Sequence, residues 1–147
     1  MKLYLDNCTL NRPFDDLTQP RIAEEAKAVE VILERIRRGL DVMVDSSAVR
    51  DENWACPNLW RRSEVARLRQ LASVFQPLND CVVQRTRKLV DEGFSPFDAL
   101  HLALAEAAGV DYFLTTDDGL TRKANSIEGL RVKVVNPKEY VDKEVCQ

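Results

Sequence analysis

The chain has 147 residues, 45% of them hydrophobic, with five glycines, six prolines and 24 acidic against 21 basic side chains. Size and composition fit one soluble domain that buries its own core, and they exclude a disordered chain and a collagen-like repeat. The formal charge of −3 argues against a polycation that coats nucleic acid, but it leaves a nuclease open.

The first strand is expected at Leu3-Tyr4-Leu5, a short apolar run that delivers Asp6 and Asn7 at its tip, followed by a turn at Asn11-Arg12-Pro13. From about residue 20 to 38, Ile22, Ala26, Val29, Leu33 and Ile36 recur at helical spacing; Thr18 is the expected cap and Gly39 the stop. Val42-Met43-Val44 reads as a second buried strand ending in Asp45-Ser46-Ser47, with either serine suited to cap a short helix over about 48–54.

Pro57 and the pattern Leu59, Val65, Leu68, Leu71, Ala72, Phe75 predict a helix ending before Pro77. Another, capped by Asn79 or Asp80, stops at Gly93. Ser95-Pro96-Phe97-Asp98 opens a fifth helix with a cap, a proline at the first position and a carboxylate in the first turn; Gly109 closes it. Tyr112-Phe113-Leu114 is a third strand tipped by Thr115-Thr116-Asp117-Asp118, a short helix follows near 119–124, and Val132–Val135 forms a fourth strand.

No run of about 18 apolar residues is present, so no membrane span is expected. Met1 to Asp6 reaches a carboxylate after three apolar residues and does not suit a signal peptide, so the cytoplasm is the expected location. Cys8, Cys56, Cys81 and Cys146 form no CxxC pair and share the chain with a single histidine, His101, so they read as free thiols rather than a zinc site. Arginines cluster on the expected helices, at 35, 37 and 38, at 61, 62, 67 and 69, and at 85 and 87 beside Lys88; solvated faces or phosphate contacts would both suit them.

Strands alternating with amphipathic helices imply an α/β fold: a short, mostly parallel sheet between two helical layers in a single domain over 1–147, with the site beyond the carboxyl ends of the strands. Asp6, Asp45 and Asp117 all sit at such ends, and Asp98 enters the same rim. Two carboxylates about 4 Å apart repel by roughly 4 kcal/mol at an effective dielectric near 20, so such a cluster calls for a proton or a cation. Hard oxygen ligands favour Mg²⁺ or Mn²⁺, and such ions serve phosphodiester hydrolysis. The glycines stand singly, which leaves nucleotide-binding loops unsupported, and no GxSxG elbow occurs. His101, three residues after Asp98, is either a structural histidine or a substrate contact.

Leu3-Tyr4-Leu5-Asp6-Asn7-Cys8, Ser95-Pro96-Phe97-Asp98-Ala99-Leu100-His101-Leu102-Ala103, Asp111-Tyr112-Phe113-Leu114-Thr115-Thr116-Asp117 and Val134-Val135-Asn136-Pro137 together resemble, in order and spacing, the landmarks of PIN domains. The resemblance implies a three-layer α/β/α nuclease, many relatives being the toxin halves of VapC-type toxin–antitoxin pairs, with RNA as substrate and Mg²⁺ or Mn²⁺ as cofactor. It implies Asp6, Asp98 and Asp117 as metal ligands and Glu52 as the fourth acid, with Asp51 or Asp45 able to replace Glu52 and Asp118 able to replace Asp117. Asn7, Ser46 and Thr115 or Thr116 would contact substrate or the ligated carboxylates, and Arg12, Arg122 or Lys123 would guide phosphate. An antitoxin partner and a homodimer belong to the same implication. A receiver-type signalling module, which also holds Mg²⁺ in an acidic rim, is the contrasting class; Asn7 stands where receivers carry a second acid.

Overall fold

Leu3, Tyr4 and Leu5 have no solvent exposure because their strand, β1 (Lys2–Leu5), is the middle of the sheet. In the computed structural model, which describes residues 1–146, β1 pairs in parallel with β2 (Val42–Ser46) on one side and with β4 (Tyr112–Leu114) on the other. β3 (Val74–Gln76) extends the sheet beyond β2 and β5 (Lys133–Val135) extends it beyond β4, giving the all-parallel order β3-β2-β1-β4-β5. The register sets Tyr4 opposite Val44 and Phe113, and the rings of Tyr4 and Phe113 stack with centroids 5.0 Å apart.

Helices cover both faces in three layers. The right-handed crossover from β1 to β2 puts α2 (Pro20–Arg37) on one side, where α8 (Pro137–Tyr140), which follows β5, packs against it. α5 (Asp80–Asp91) and α6 (Pro96–Ala107) pack together on the other. α2 buries Ala26, Val29, Ile32, Leu33 and Ile36, and Gly39 ends it at φ 75°, a left-handed conformation that lets the Leu40 amide reach back to the Arg35 carbonyl at 2.9 Å. α1 (Asn7–Asn11), α3 (Ser47–Trp54) and α7 (Asp118–Ser126) start from the carboxyl ends of β1, β2 and β4; α4 (Leu59–Arg69) packs on α1 and α3, and α7 on β5. A π-helical turn over Val141–Val145 continues from α8.

Four details differ from the sequence reading. The helix expected to run to Phe75 ends at Arg69, because Val74 and Phe75 pair with Val44 and Asp45 as the edge strand β3. The amide of Ser73 donates to the Met43 carbonyl, and Leu71 and Ala72 pack from a turn. The turn expected at 11–13 is preceded by α1, whose N-cap is Asp6, and is itself a 3₁₀ turn over Arg12–Phe14. Thr18 does not cap α2: its amide and hydroxyl both donate to Asp16, and Gln19 takes the cap position without a side-chain bond. The short helix expected near 119–124 runs over Asp118–Ser126, and Asp117 caps it where Asp118 would be the expected cap.

Candidate active site

β1 has β2 and β3 on one flank and β4 and β5 on the other, so its carboxyl end is the switch point of the sheet, where open α/β folds form a crevice. A cavity of about 340 Å³ lies there, lined by Asp6, Glu52, Asp98 and Asp117, with Asn7 and Arg12 in the same wall. Each acid arrives on a different element. Asp6 follows β1 and caps α1 by accepting the Thr9 amide at 3.1 Å; Asp117 follows β4 and caps α7 by accepting the Leu120 amide at 3.1 Å. Glu52 projects from α3 and Asp98 from the first turn of α6. Ser95 accepts the Asp98 amide at 3.2 Å, whereas the Asp98 carboxylate has no hydrogen bond among the described residues and is left for the cavity. The capping box is thus half made.

The other acids of the rim are committed elsewhere. Asp45 accepts Arg69 at 2.9–3.2 Å through three contacts and also takes the Ser46 amide, so it is locked on β2. Asp51 pairs with Arg50 at 3.2 Å and lines a neighbouring cleft, and Asp118 pairs with Arg21 at 2.7 Å. Of the residues expected near substrate, Asn7 and Arg12 line the cavity while Ser46, Thr115 and Arg122 do not. Ser46 and Thr115 have no solvent exposure: Ser46 caps α3 through the Val49 amide, and Thr115 accepts the Asp117 amide at 3.1 Å. Their work is to hold the segments that carry Glu52 and Asp117. Arg122 is exposed on α7. The guanidinium of Arg12 is steadied by Asp15 at 3.0 Å and by the buried Glu25 at 3.2 Å, and Asp15 in turn holds Arg61 at 2.6 Å.

His101 is buried in the cavity wall, and both of its ring nitrogens are engaged. Nε2 lies 2.9 Å from Glu52 Oε1, and Nδ1 lies 2.7 Å from the Tyr4 hydroxyl, which is itself 2.7 Å from Ser46 Oγ. An ionised Glu52 only accepts, which assigns the proton of a neutral His101 to Nε2 and leaves Nδ1 to accept from Tyr4. The Tyr4 oxygen then accepts from Ser46, whose oxygen already takes the Val49 amide. Every group in this chain is satisfied with one proton direction. Burial raises Tyr4 well above its ordinary value, so it stays a hydroxyl donor. The two alternatives kept for His101 from sequence meet here, since it is hydrogen-bonded like a structural histidine while touching a cavity acid.

The family model of the PIN domain matches residues 15–126, more than half of the chain and inclusive of Glu52, Asp98 and Asp117. The chain belongs to the PIN domain family. No curated protein matches it. PIN domains have a nuclease-type fold that acts on nucleic acids and usually binds divalent metal. Asp6 lies ahead of the matched segment and joins the site through the geometry alone.

Among the described residues of this PIN domain, no three acidic, histidine or cysteine side chains stand together at ion-holding distance. The donor chemistry nevertheless fits Mg²⁺ or Mn²⁺, because Mg²⁺ keeps several waters and takes one or two carboxylates with substrate phosphates rather than a full protein cage. Two observations support the fit. Asn7 Oδ1 is a buried acceptor without a partner, and burial raises Asp6 above its usual carboxylate value despite hydrogen bonds from Cys8, Thr115 and Thr9. A carboxylate held in that state is relieved by a cation. Cys8 donates to Asp6 Oδ1 at 3.0 Å. One side of the Cys8 residue is open to solvent, yet the protein packed around the sulfur, together with the Asp6 charge, pushes the thiol up to about 12. Tyr4 and Cys8 escaped the sequence reading as parts of the site's support, whereas Thr116, the alternative to Thr115, lines the cavity; the only signal for Tyr4 was a polar atom inside an otherwise apolar buried strand. Among the described residues no helix is long and apolar enough to cross a membrane.

Proposed function

We propose that this chain is a metal-dependent endoribonuclease, the toxin of a toxin–antitoxin pair, which hydrolyses RNA phosphodiester bonds in the cytoplasm with Mg²⁺ or Mn²⁺ as cofactor. The observation that carries the reading is the convergence of Asp6, Glu52, Asp98 and Asp117 on one cavity at the sheet's switch point in a PIN domain. The toxin role, the antitoxin partner and a homodimer rest on the likeness of the motifs to VapC-type relatives.

Asp6, Asp98 and Asp117 would hold the cation, with Asn7 Oδ1 beside them as a neutral acceptor. The cation would supply charge to the scissile phosphate and acidity to the attacking water. Arg12, already fixed by Glu25 and Asp15, presents positive charge to a phosphate in the cavity. Glu52 accepts from His101 through Oε1, which orients the remaining oxygen toward the cavity as acceptor for a proton leaving water.

The test is cleavage of a mixed set of structured and unstructured RNAs in Mg²⁺, in Mn²⁺ and in chelator by wild type and Asp6→Asn. Cleavage that needs the metal and disappears in the variant is the expected result. Asparagine keeps the cap to Thr9 and removes a buried charge, so in chelator the variant melts no lower than wild type, which separates lost chemistry from lost fold. Equal cleavage by both proteins refutes the assignment; Mn²⁺ binding without turnover indicates instead an inactive, partner-binding PIN domain.

A further inference from the structure

Between α3 and α4 lies a cleft of about 560 Å³, larger than the acidic cavity and lined by none of its four acids. Trp54, at the end of α3, is 73% exposed in its wall. The guanidinium of Arg62 lies on the indole, 4.6 Å from the ring, and donates to the Trp54 carbonyl at 3.4 Å. Because one face of the ring is covered and the residue is still so exposed, the other face is open to solvent. One helical turn before Trp54, Arg50 lies 5.5 Å over the exposed ring of Phe75. Among the described residues Arg62 has no carboxylate partner; the one acid in the wall, Asp51, is paired with Arg50.

A third pocket lies between this cleft and the acidic cavity. It shares Asn7, Cys8 and Glu52 with the cavity and Asn53 with the cleft, so the three are neighbours around α3. With Arg69 paired to Asp45 and Arg50 to Asp51, Arg62 leaves the cleft wall one uncompensated positive charge on a chain of net charge −3. Guanidinium planes laid on aromatic rings form a partial stack that a nucleobase extends, and the free arginine charge suits the phosphates beside it.

We propose that this cleft binds the single-stranded segment of an RNA leading away from the acidic cavity, with a base stacked on the open face of Trp54 and adjacent phosphates on Arg62 and Arg50. The proposal rests on the nuclease reading and adds to it a second, non-catalytic contact region that favours unpaired RNA. A base has a π-face whatever its identity, so this contact selects single strands over duplexes without selecting sequence.

The experiment uses the full chain with Trp60→Phe, which leaves Trp54 as the only tryptophan, titrated with an oligouridylate of about ten nucleotides in chelator so that nothing is cut. Saturable quenching of Trp54 fluorescence is expected. Anisotropy of the labelled oligonucleotide should show binding weakened about ten-fold by Trp54→Ala and largely restored by Trp54→Phe. Arg62→Ala should lower the slope of log affinity against log salt by about 0.7. Trp54 is exposed and Arg62 only half-buried, so these variants should keep the fold, which a melting curve checks. Absence of quenching while Asp6-dependent cleavage persists overturns the cleft and leaves the nuclease standing. Equal quenching by oligoglutamate also overturns it, in favour of an acidic protein partner. Quenching by RNA in a protein that cuts nothing supports the cleft while the nuclease reading fails.

Discussion

The hydrogen-bonded chain Ser46–Tyr4–His101–Glu52 makes a strong demand on one atom, the Tyr4 hydroxyl. Tyr4→Phe deletes that oxygen and nothing else, since the ring keeps its place in the core and its stack on Phe113. The deletion leaves His101 Nδ1 as a buried acceptor without a donor, at about 1–3 kcal/mol, and removes the acceptor of the Ser46 hydroxyl, at about 1 kcal/mol more. We therefore expect a loss of about 3 kcal/mol, which at this chain length lowers the melting temperature by roughly 6–12 °C. Urea unfolding followed by circular dichroism should show a lower midpoint at unchanged slope. Ser46→Ala, made alone and with Tyr4→Phe, should reveal a coupling of at least about 0.5 kcal/mol. Cleavage should also fall, by about ten-fold, as Glu52 loses its fixed partner orientation. A Tyr4→Phe protein within about 0.5 kcal/mol of wild type, additive with Ser46→Ala, would refute the proton assignment and with it the claim that this chain holds Glu52.

Other outcomes follow from separate parts of the fold. Arg69→Ala strands Asp45 as a poorly solvated charge and should cost about 3 kcal/mol in urea unfolding, whereas Asp45→Asn should leave RNA cleavage in place and Glu52→Gln should abolish it. Burial alone would raise Asp41, but Arg35 at 2.9 Å, the ammonium of Met1 at 3.1 Å and the Tyr140 hydroxyl at 3.1 Å outweigh it and hold the carboxyl below its usual value. With a depressed folded value, its contribution to stability is complete above about pH 4 and is lost as pH falls through the folded value. The gap in urea midpoint between wild type and Asp41→Asn should accordingly shrink from pH 7 to pH 3. Cys8, pushed up to about 12, should resist iodoacetamide at pH 8 while Cys56, Cys81 and Cys146 are alkylated, as peptide mapping would report.

Much of the architecture was legible because parallel strands buried on both faces read as unbroken apolar runs, and their polar tips announce the rim. Leu3-Tyr4-Leu5, Val42-Met43-Val44 and Tyr112-Phe113-Leu114 carry that signal plainly. β3 did not, because Leu68, Leu71, Ala72 and Phe75 repeat at helical spacing across a helix, a turn and a short edge strand, and periodicity cannot tell such a sequence from one longer helix. The choice among Asp45, Asp51 and Glu52 was equally closed to sequence. Asp45 is tied down by Arg69, which is 24 residues from it, and Asp51 by its neighbour Arg50, a pairing that adjacency alone does not announce. A hydroxyl at a strand tip looks the same whether it faces the crevice or braces the structure beneath it: Ser46 caps α3, and Thr115 bonds both the Asp117 amide and the Asp6 carboxylate.

The sheet order has a consequence for how the chain comes to life on the ribosome. Leu3 and Tyr112, partners across the central seam, are 109 residues apart, and Asp117 lies beyond them. Contacts of such long sequence separation are slow to form, and domains emerge N-terminal end first. The first strand must wait, paired on one flank only, until most of the chain has been synthesised. The four acids of the cavity therefore come together late, once β4 pairs beside β1 and brings Asp117 to the rim.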